Sequence, residues 1–124
     1  MQFNKNLSIY LQIADYMYER ILSGDWSDGE RIPSIRDMAV QLEVNPNTVT
    51  RTYTLLQEEG TLENQRGIGY FTAGNARSLV LTRKRENFLH NELPGLFSTI
   101  EHLGLTITDI EREYELYLKE KRES

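Results

Sequence analysis

Hydrophobic residues recur at helical spacing in the first part of the chain and predict two helices there. The first spans about 8–23, where apolar residues form a single stripe, and Gly24 follows as a candidate C-cap. After a turn-rich connector, Ser34 is a candidate N-cap for a short second helix, with Asp37 three residues later in a capping-box arrangement. This helix is expected to end near Glu43 and to bury Ile35, Met38, Ala39 and Leu42.

The pattern then changes to a third helix and, after it, to strands. Asn45 is a favoured N-cap, and Pro46 fits the first helical position because its missing N–H is not needed there. Gly60 ends this helix. Beyond it, β-compatible residues flank the glycine-containing stretch 66–69, which predicts a β-hairpin with its tip at these positions.

Helical spacing returns in the last part of the chain. The pattern begins at about Ala76, and Pro94 either kinks this helix or starts a new segment. A break at 102–105 precedes Thr106 and Asp109, which mark the start of a last helix. We therefore expect a mainly α fold, with three helices and a β-hairpin followed by a small two-helix region.

The composition places the chain among globular proteins. Of its 124 residues, 39% are apolar and 27% are charged, which suits one small domain with an appendage. No apolar run approaches the ~20 residues needed to cross a bilayer, and the N-terminus lacks a secretory signal pattern. The absence of cysteine excludes disulfides and thiolate metal sites, so we expect a cytoplasmic protein without a membrane partner.

The polar face of the third helix differs from an ordinary solvated surface. Asn47, Thr50, Arg51 and Thr54 share one face, opposite Val49, Thr52, Tyr53 and Leu56. Arginine can pair with guanine, asparagine with adenine, and a threonine methyl can contact thymine. No acidic residue occurs between residues 45 and 56, although the whole chain carries a net charge of −5. That total argues for caution about nucleic acid, but charge distribution matters more than the sum.

The segment IPSIRDMAVQLEVNPNTVTRTYTLLQEEGTLENQRGIGYF, residues 32–71, resembles the DNA-binding domain of GntR-family bacterial transcription factors. The family's (L/I)PS-x-R, N-P-N-T-V and R-G-x-G motifs occur in order and at matching intervals. The resemblance implies a winged helix-turn-helix domain at 1–74, with the helix-turn-helix at about 35–54 and the wing at about 61–73. One departure is Glu43, where relatives often have glycine; a positive φ there would cost on the order of 1 kcal/mol.

The resemblance also implies which residues meet DNA. Arg36 is expected to reach the backbone or a base, and Arg66 to contact phosphate or the minor groove beside Gly67. Ser34 and Thr48, at helix N-termini, suit either capping or a phosphate. The expected DNA-binding residues are Ser34, Arg36, Asn45, Asn47, Thr48, Thr50, Arg51, Thr54, Arg66 and Gly67.

The region 75–124 is too short for the large effector domain of most family members. It looks like the tail of the YtrA-type subfamily, in which C-terminal helices build a homodimer. The expected dimerisation residues are Phe88, Leu89, Leu93, Leu96, Phe97, Ile100, Ile110, Tyr114 and Leu118. The resemblance therefore implies a homodimeric regulator, expected to be a repressor, that binds a palindromic operator in double-stranded DNA. The operator sequence and any small-molecule effector stay open.

Two other classes of function were weighed. A winged helix can serve protein assembly, but such versions tend to carry an apolar or acidic third helix. An enzyme is disfavoured because no nucleophile–base pair, metal cluster or carboxylate dyad can be argued from the sequence. His90 and His102 match no compact metal-ligand spacing, so neither metal nor cofactor is expected. Tyr53, Tyr70 and Phe71 are interpreted as core residues.

Overall fold

The computed structural model describes residues 3–4 and 7–124, and its elements follow the order of a winged helix-turn-helix. They are α1 (Ile9–Leu22), α2 (Ile35–Leu42), α3 (Pro46–Glu58), β1 (Leu62–Gln65), β2 (Gly69–Thr72), α4 (Ala76–Asn87), a π-helical turn (Phe88–Glu92), α5 (Leu93–His102) and α6 (Ile107–Glu123). The predicted mainly α fold class is confirmed.

The chain forms two compact units, which divide between Arg83 and Lys84. The division reflects packing, because α4 begins inside the first unit: Ala76 and Val80 are buried with Ile21 and Ala73 in a small apolar cluster. The functional boundary between residues 74 and 75 stays a prediction.

Capping groups determine where α2 and α3 begin. The Ser34 hydroxyl accepts a hydrogen bond from the Asp37 amide at 3.1 Å, and the Asn45 side chain accepts one from the Asn47 amide at 2.8 Å. At the other end of α2, Glu43 has φ 55° and ψ 49°, the left-handed conformation that glycine adopts most easily. It is the one non-glycine residue with positive φ in the described part of the chain.

The main core lies where α1, α2, α3 and β1 meet. The predicted inner face of α3 is confirmed, since Val49, Thr52, Tyr53 and Leu56 are completely buried. Tyr53 also donates a hydrogen bond to the Pro33 carbonyl at 2.6 Å and packs edge-on against Tyr70, with ring centroids 4.8 Å apart. The core therefore fixes α3 through one side only.

The hairpin is anchored by the connector that precedes α2. β1 and β2 pair antiparallel, from Leu62 opposite Thr72 to Gln65 opposite Gly69. The connector adds to the far edge of β2, because the Ile32 amide donates to the Tyr70 carbonyl and the Thr72 amide donates to the Glu30 carbonyl, each at 2.9 Å. Strand β2 is therefore hydrogen-bonded along both of its edges, to β1 on one side and to the connector on the other.

The second unit consists of the end of α4, the π-helical turn, α5 and α6. Pro94 has no N–H for an α-helical bond, and the preceding Leu93 amide bonds to the Phe88 carbonyl in the π-helical turn. Of the two expectations for Pro94, a kink or a new segment, the structure shows a new segment. Thr106 and Asp109 form a reciprocal capping box at the start of α6, as predicted. Hydrogen bonding to Thr106 lowers the Asp109 pKa.

Candidate nucleic-acid interface

The outer face of α3 carries the short polar side chains that the sequence placed there. Asn47, Thr50, Arg51 and Thr54 are all exposed, while the inner face of the same helix is fully buried. The Thr50 hydroxyl donates to the Pro46 carbonyl at 3.0 Å, so this side chain is held against its own helix. The face is thus a fixed, solvent-facing surface of hydrogen-bonding groups.

Arg51 is the longest side chain of that face, and its guanidinium packs against an aromatic ring. Its Cζ atom lies 3.7 Å from the centroid of the Tyr10 ring, which belongs to α1. Tyr10 was missed by sequence reasoning, because only tertiary packing brings α1 beside the outer face of α3. No motif or spacing in the sequence could have paired the two.

The helix N-termini hold Ser34, Asn45 and Thr48. The side chains of Ser34 and Asn45 accept hydrogen bonds from backbone amides, which is their capping role. Thr48 is half-buried, and Arg36 is exposed just inside α2. Their expected contacts with phosphate or base stay predictions.

The wing tip places Arg66 and Gly67 in solvent. Gly67 has φ 78°, and the Ile68 amide closes the turn by donating to the Gln65 carbonyl at 2.9 Å. Arg31 reaches across from the connector, and its Nη2 donates to the Ile68 carbonyl at 2.7 Å. No local sequence pattern indicates this contact between Arg31 and the wing, because it joins residues 37 positions apart.

Six of the seven arginines of the first unit fall into two groups, and the seventh, Arg77, donates a hydrogen bond to the Leu22 carbonyl at 3.4 Å. Arg20 pairs with Asp25 at 2.6 Å, and Arg83 pairs with Glu59 at 3.0 Å. No carboxylate within the described residues forms an ion pair with the second group, which consists of Arg31, Arg36, Arg51 and Arg66. The positive charges of this second group are therefore available to an external anion despite the acidic total.

Two aromatic residues next to each other, one on α3 and one on β2, pack in the core. Tyr53 is fully buried, which confirms its predicted core position, and the half-buried Tyr70 packs against it. Phe71 is also half-buried but is not among the residues packed against this core. Burial raises the pKa of the Tyr53 hydroxyl, with smaller contributions from Tyr70 and Asp37. The phenol therefore stays protonated and keeps its hydrogen bond to Pro33.

Other kinds of site find no support in the residues that the structure describes. His90 lies 3.2 Å from a Glu86 carboxylate oxygen, and the His102 ring contacts the Ser98 carbonyl. Residues 3–4 and 7–124 contain no group of three or more His, Asp or Glu residues arranged to hold a metal ion. Within the same ranges, every helix is too short or too polar to span a lipid bilayer.

Comparison with known proteins matches the chain to bacterial transcriptional regulators. The family model for bacterial regulatory proteins, gntR family, matches residues 9–72. The HTH-type transcriptional regulator YhcF of Bacillus subtilis is 37% identical over 105 residues, covering 85% of each chain. The HTH-type transcriptional repressor YtrA of the same organism is 32% identical over 99 residues, covering 80% of this chain and 75% of YtrA.

Solved structures match across both compact units as well. A crystal structure of a GntR-family transcriptional regulator from Bacteroides thetaiotaomicron has 40% sequence identity and a TM-score of 0.82. The match covers 91% of this chain and 98% of that one. The similarity therefore includes the short C-terminal helices and is not limited to the motif-bearing segment.

Proposed function

Since this chain belongs to the GntR family of bacterial regulatory proteins and is a DNA-binding transcriptional regulator, we propose that it works as a homodimeric repressor on a palindromic operator. In each half-site α3 enters the major groove, and the wing tip at residues 66–69 contacts the neighbouring backbone or minor groove. The regulator acts in the cytoplasm on double-stranded DNA and needs no cofactor to bind.

The observation that carries the DNA-reading role is the outer face of α3. It presents amide, hydroxyl and guanidinium groups to solvent and contains neither an acidic nor a large apolar residue from Asn47 to Thr54. An acidic face would repel phosphates, and an apolar face would favour a protein partner. This composition favours base readout over the alternative of a protein-assembly module.

Support for the homodimer comes from the second unit. From Lys84 to Ser124 not one residue is buried, although the segment is rich in large apolar side chains. Leu89 is 50% exposed, Leu96 50%, Phe97 49% and Tyr114 60%. A segment this short cannot cover such a surface by itself, and pairing with the same segment of a second chain is the simplest way to do so.

Symmetric pairing explains how a small module reaches useful affinity. Two α3 helices related by a two-fold axis read two half-sites near a multiple of one ~34 Å helical turn. Linking the two modules raises the apparent affinity by about 10²–10⁴ through effective concentration. The repressor role is supported by the similarity to the repressor YtrA over 80% of this chain.

Selection of binding sites from random duplex DNA by the full-length protein tests this proposal. We expect an inverted repeat, protected as a unit in footprinting, and sedimentation of the free protein as a dimer at micromolar concentration. The double variant Asn47→Ala/Arg51→Ala should lose the selected motif. Gln57→Ala, an exposed change near the other end of the same helix, should keep it.

Two outcomes would contradict the proposal. Selection of an unrepeated site would remove the symmetric operator, and enrichment of no sequence at all would leave protein assembly as the better explanation. The repressor role is tested separately by placing the selected site in a promoter, where the protein should lower transcription. A rise in transcription would instead make it an activator.

Any small-molecule control is expected at the dimer interface. An enclosed effector pocket needs a few hundred Å³ of protein-lined space. Without a single buried residue, the segment 84–124 has no interior in which one subunit could enclose a ligand. A crystal structure with a ligand fully enclosed within residues 76–124 of one chain would contradict this expectation.

A further inference from the structure

Tyr10, which is not among the predicted DNA-binding residues, contacts Arg51, the main candidate for reading a base. The Arg51 guanidinium carbon lies 3.7 Å from the Tyr10 ring centroid, which is the distance of direct stacking. Another Arg–Tyr pair of the first unit, Arg20 with Tyr16, is looser at 5.4 Å. The close contact is therefore a distinct feature of the recognition helix.

The backbone that carries the Tyr10 ring is anchored independently of the stacking contact. The backbone carbonyl of Tyr10 accepts a hydrogen bond at 2.8 Å from the hydroxyl of Thr52, the residue next to Arg51. Thr52 is completely buried where α1 packs on α3, and Tyr10 itself is half-buried. A substitution of the Tyr10 side chain leaves this backbone anchor in place.

Stacking uses the face of the guanidinium and leaves its edge available. Within the described residues, the Arg51 side chain makes no hydrogen bond and no ion pair, so its guanidinium N–H donors have no competing protein acceptor. An arginine that reads a base pair must hold two N–H groups in one plane toward two acceptors. A free arginine side chain loses substantial rotamer entropy when it adopts that plane.

We propose that Tyr10 is a positioning residue, which orients Arg51 in advance for a base edge with two adjacent acceptors, as guanine presents in the major groove. This inference rests on the proposed function and adds a residue to it. Tyr10 need not touch DNA, because its role is carried out through Arg51. The ring lowers the ordering cost of the contact, and the guanidinium keeps its charge and donors for the base.

The test uses full-length protein and the operator obtained by selection. Arg51→Ala first identifies the base pair at which discrimination depends on Arg51. Tyr10→Leu should lower discrimination at that pair by about 2- to 5-fold, the range for an exposed cation–π contact, and leave the other positions unchanged. Tyr10→Phe should behave as the wild type, and the double variant Tyr10→Leu/Arg51→Ala should match Arg51→Ala alone.

A DNA-free measurement reports the stack directly. In the free protein, the Arg51 Nε–H resonance should be shifted by the aromatic ring, and the shift should disappear in Tyr10→Leu and persist in Tyr10→Phe. Tyr16→Leu is the matched control, since it removes a half-buried tyrosine from the same helix beside a different arginine. It should change neither the resonance nor the base discrimination.

Three results would overturn the inference while leaving the proposed function intact. One is unchanged discrimination in Tyr10→Leu. Another is an equal loss of affinity for all sequences. The third is a loss in Tyr10→Phe as large as that in Tyr10→Leu, which would mean that the hydroxyl carries the effect. If the wild-type protein selects no operator at all, the proposed function fails and this inference fails with it.

Discussion

The Arg31 guanidinium donates to the Ile68 carbonyl over 2.7 Å and so joins the connector before α2 to the tip of the wing. The same guanidinium lies against Gly69, where a Cβ atom would be 3.0 Å from the Arg31 Nε and 3.3 Å from Nη2. Gly69 also has φ 150°. The geometry of the wing therefore depends on the Arg31 guanidinium and on the absence of a side chain at Gly69, against which it packs.

Gly69→Ala should loosen the wing for both reasons. We expect a loss of about 1–3 kcal/mol in the free energy of unfolding, since the backbone conformation is strained for alanine and the new methyl group displaces Arg31. Urea unfolding measures this loss. Gly74→Ala is the matched control, because a Cβ there meets nothing within 4 Å and its φ is not in the positive range. Equal stability of the two variants would contradict the assignment.

Glu43→Gly should stabilise the protein. Glu43 adopts φ 55° at the end of α2, which costs a residue with a side chain on the order of 1 kcal/mol, partly offset by the greater unfolded-state entropy of glycine. A net gain of a few tenths to about 1 kcal/mol is expected in urea unfolding. Glu58→Gly, in the last turn of α3, should destabilise instead.

Arg51→Ala and Arg66→Ala should differ in kind. Arg51→Ala is expected to reduce specific affinity and relax the preference at one base pair by about 1–3 kcal/mol. Arg66→Ala, at the wing tip, should weaken binding evenly across sequences and reduce its salt dependence, if the contact is to phosphate. Competition with single-base variants of the operator separates the two, and wild-type affinity and preference in both mutants would remove the assignment.

Phe97→Glu should separate the subunits. Phe97 is 49% exposed within one chain, and a charge at that position in a paired apolar surface would be buried without a partner. Sedimentation should show a monomer, and operator affinity should fall by about 10²–10⁴. Val40→Glu is the control, because it adds the same charge at an apolar position of the first unit that is 73% exposed. This variant should remain a dimer in sedimentation. A Phe97→Glu variant that stays dimeric would contradict the proposed interface.

Alkaline pH should unfold the protein through two tyrosines. Burial raises the pKa of Tyr18, and the hydrogen bond from its hydroxyl to Glu59 raises it further. Burial also raises the pKa of Tyr53. The unfolded chain releases these protons near pH ~10, while the folded chain retains them, so stability is complete below that pH and falls above it. Each tyrosine should contribute a slope of about 1.4 kcal/mol per pH unit. Tyr18→Phe should reduce the slope by one proton, and an unchanged slope would refute its contribution.

Local signals predicted much of this architecture. The caps Ser34, Asn45 and Thr106 mark helix starts in the structure as they did in the sequence, because each satisfies nearby backbone amides. The family resemblance drew attention to Glu43, where relatives often have glycine, and Glu43 does adopt a positive φ. The GntR-family resemblance, carried by residues 32–71, is confirmed by the family model and the relatives.

Contacts between distant parts of the chain could not be predicted in the same way. Ala76 and Val80 follow the predicted domain boundary at residue 74, yet they are buried with Ile21 in the first unit. A truncated first unit should therefore include the chain up to Arg83, whose side chain pairs with Glu59. Tyr10 and Arg31 were missed for the same reason, since their partners lie 41 and 37 residues away.

The strict separation of the two faces of α3 has an evolutionary consequence. Val49, Thr52, Tyr53 and Leu56 are fully buried, and none of the outward-facing residues takes part in the core. Substitutions at exposed positions usually alter stability by no more than about 0.5 kcal/mol. A duplicated copy of this regulator can therefore drift toward a different operator by exchanging its outer side chains, while the scaffold that displays them is inherited unchanged.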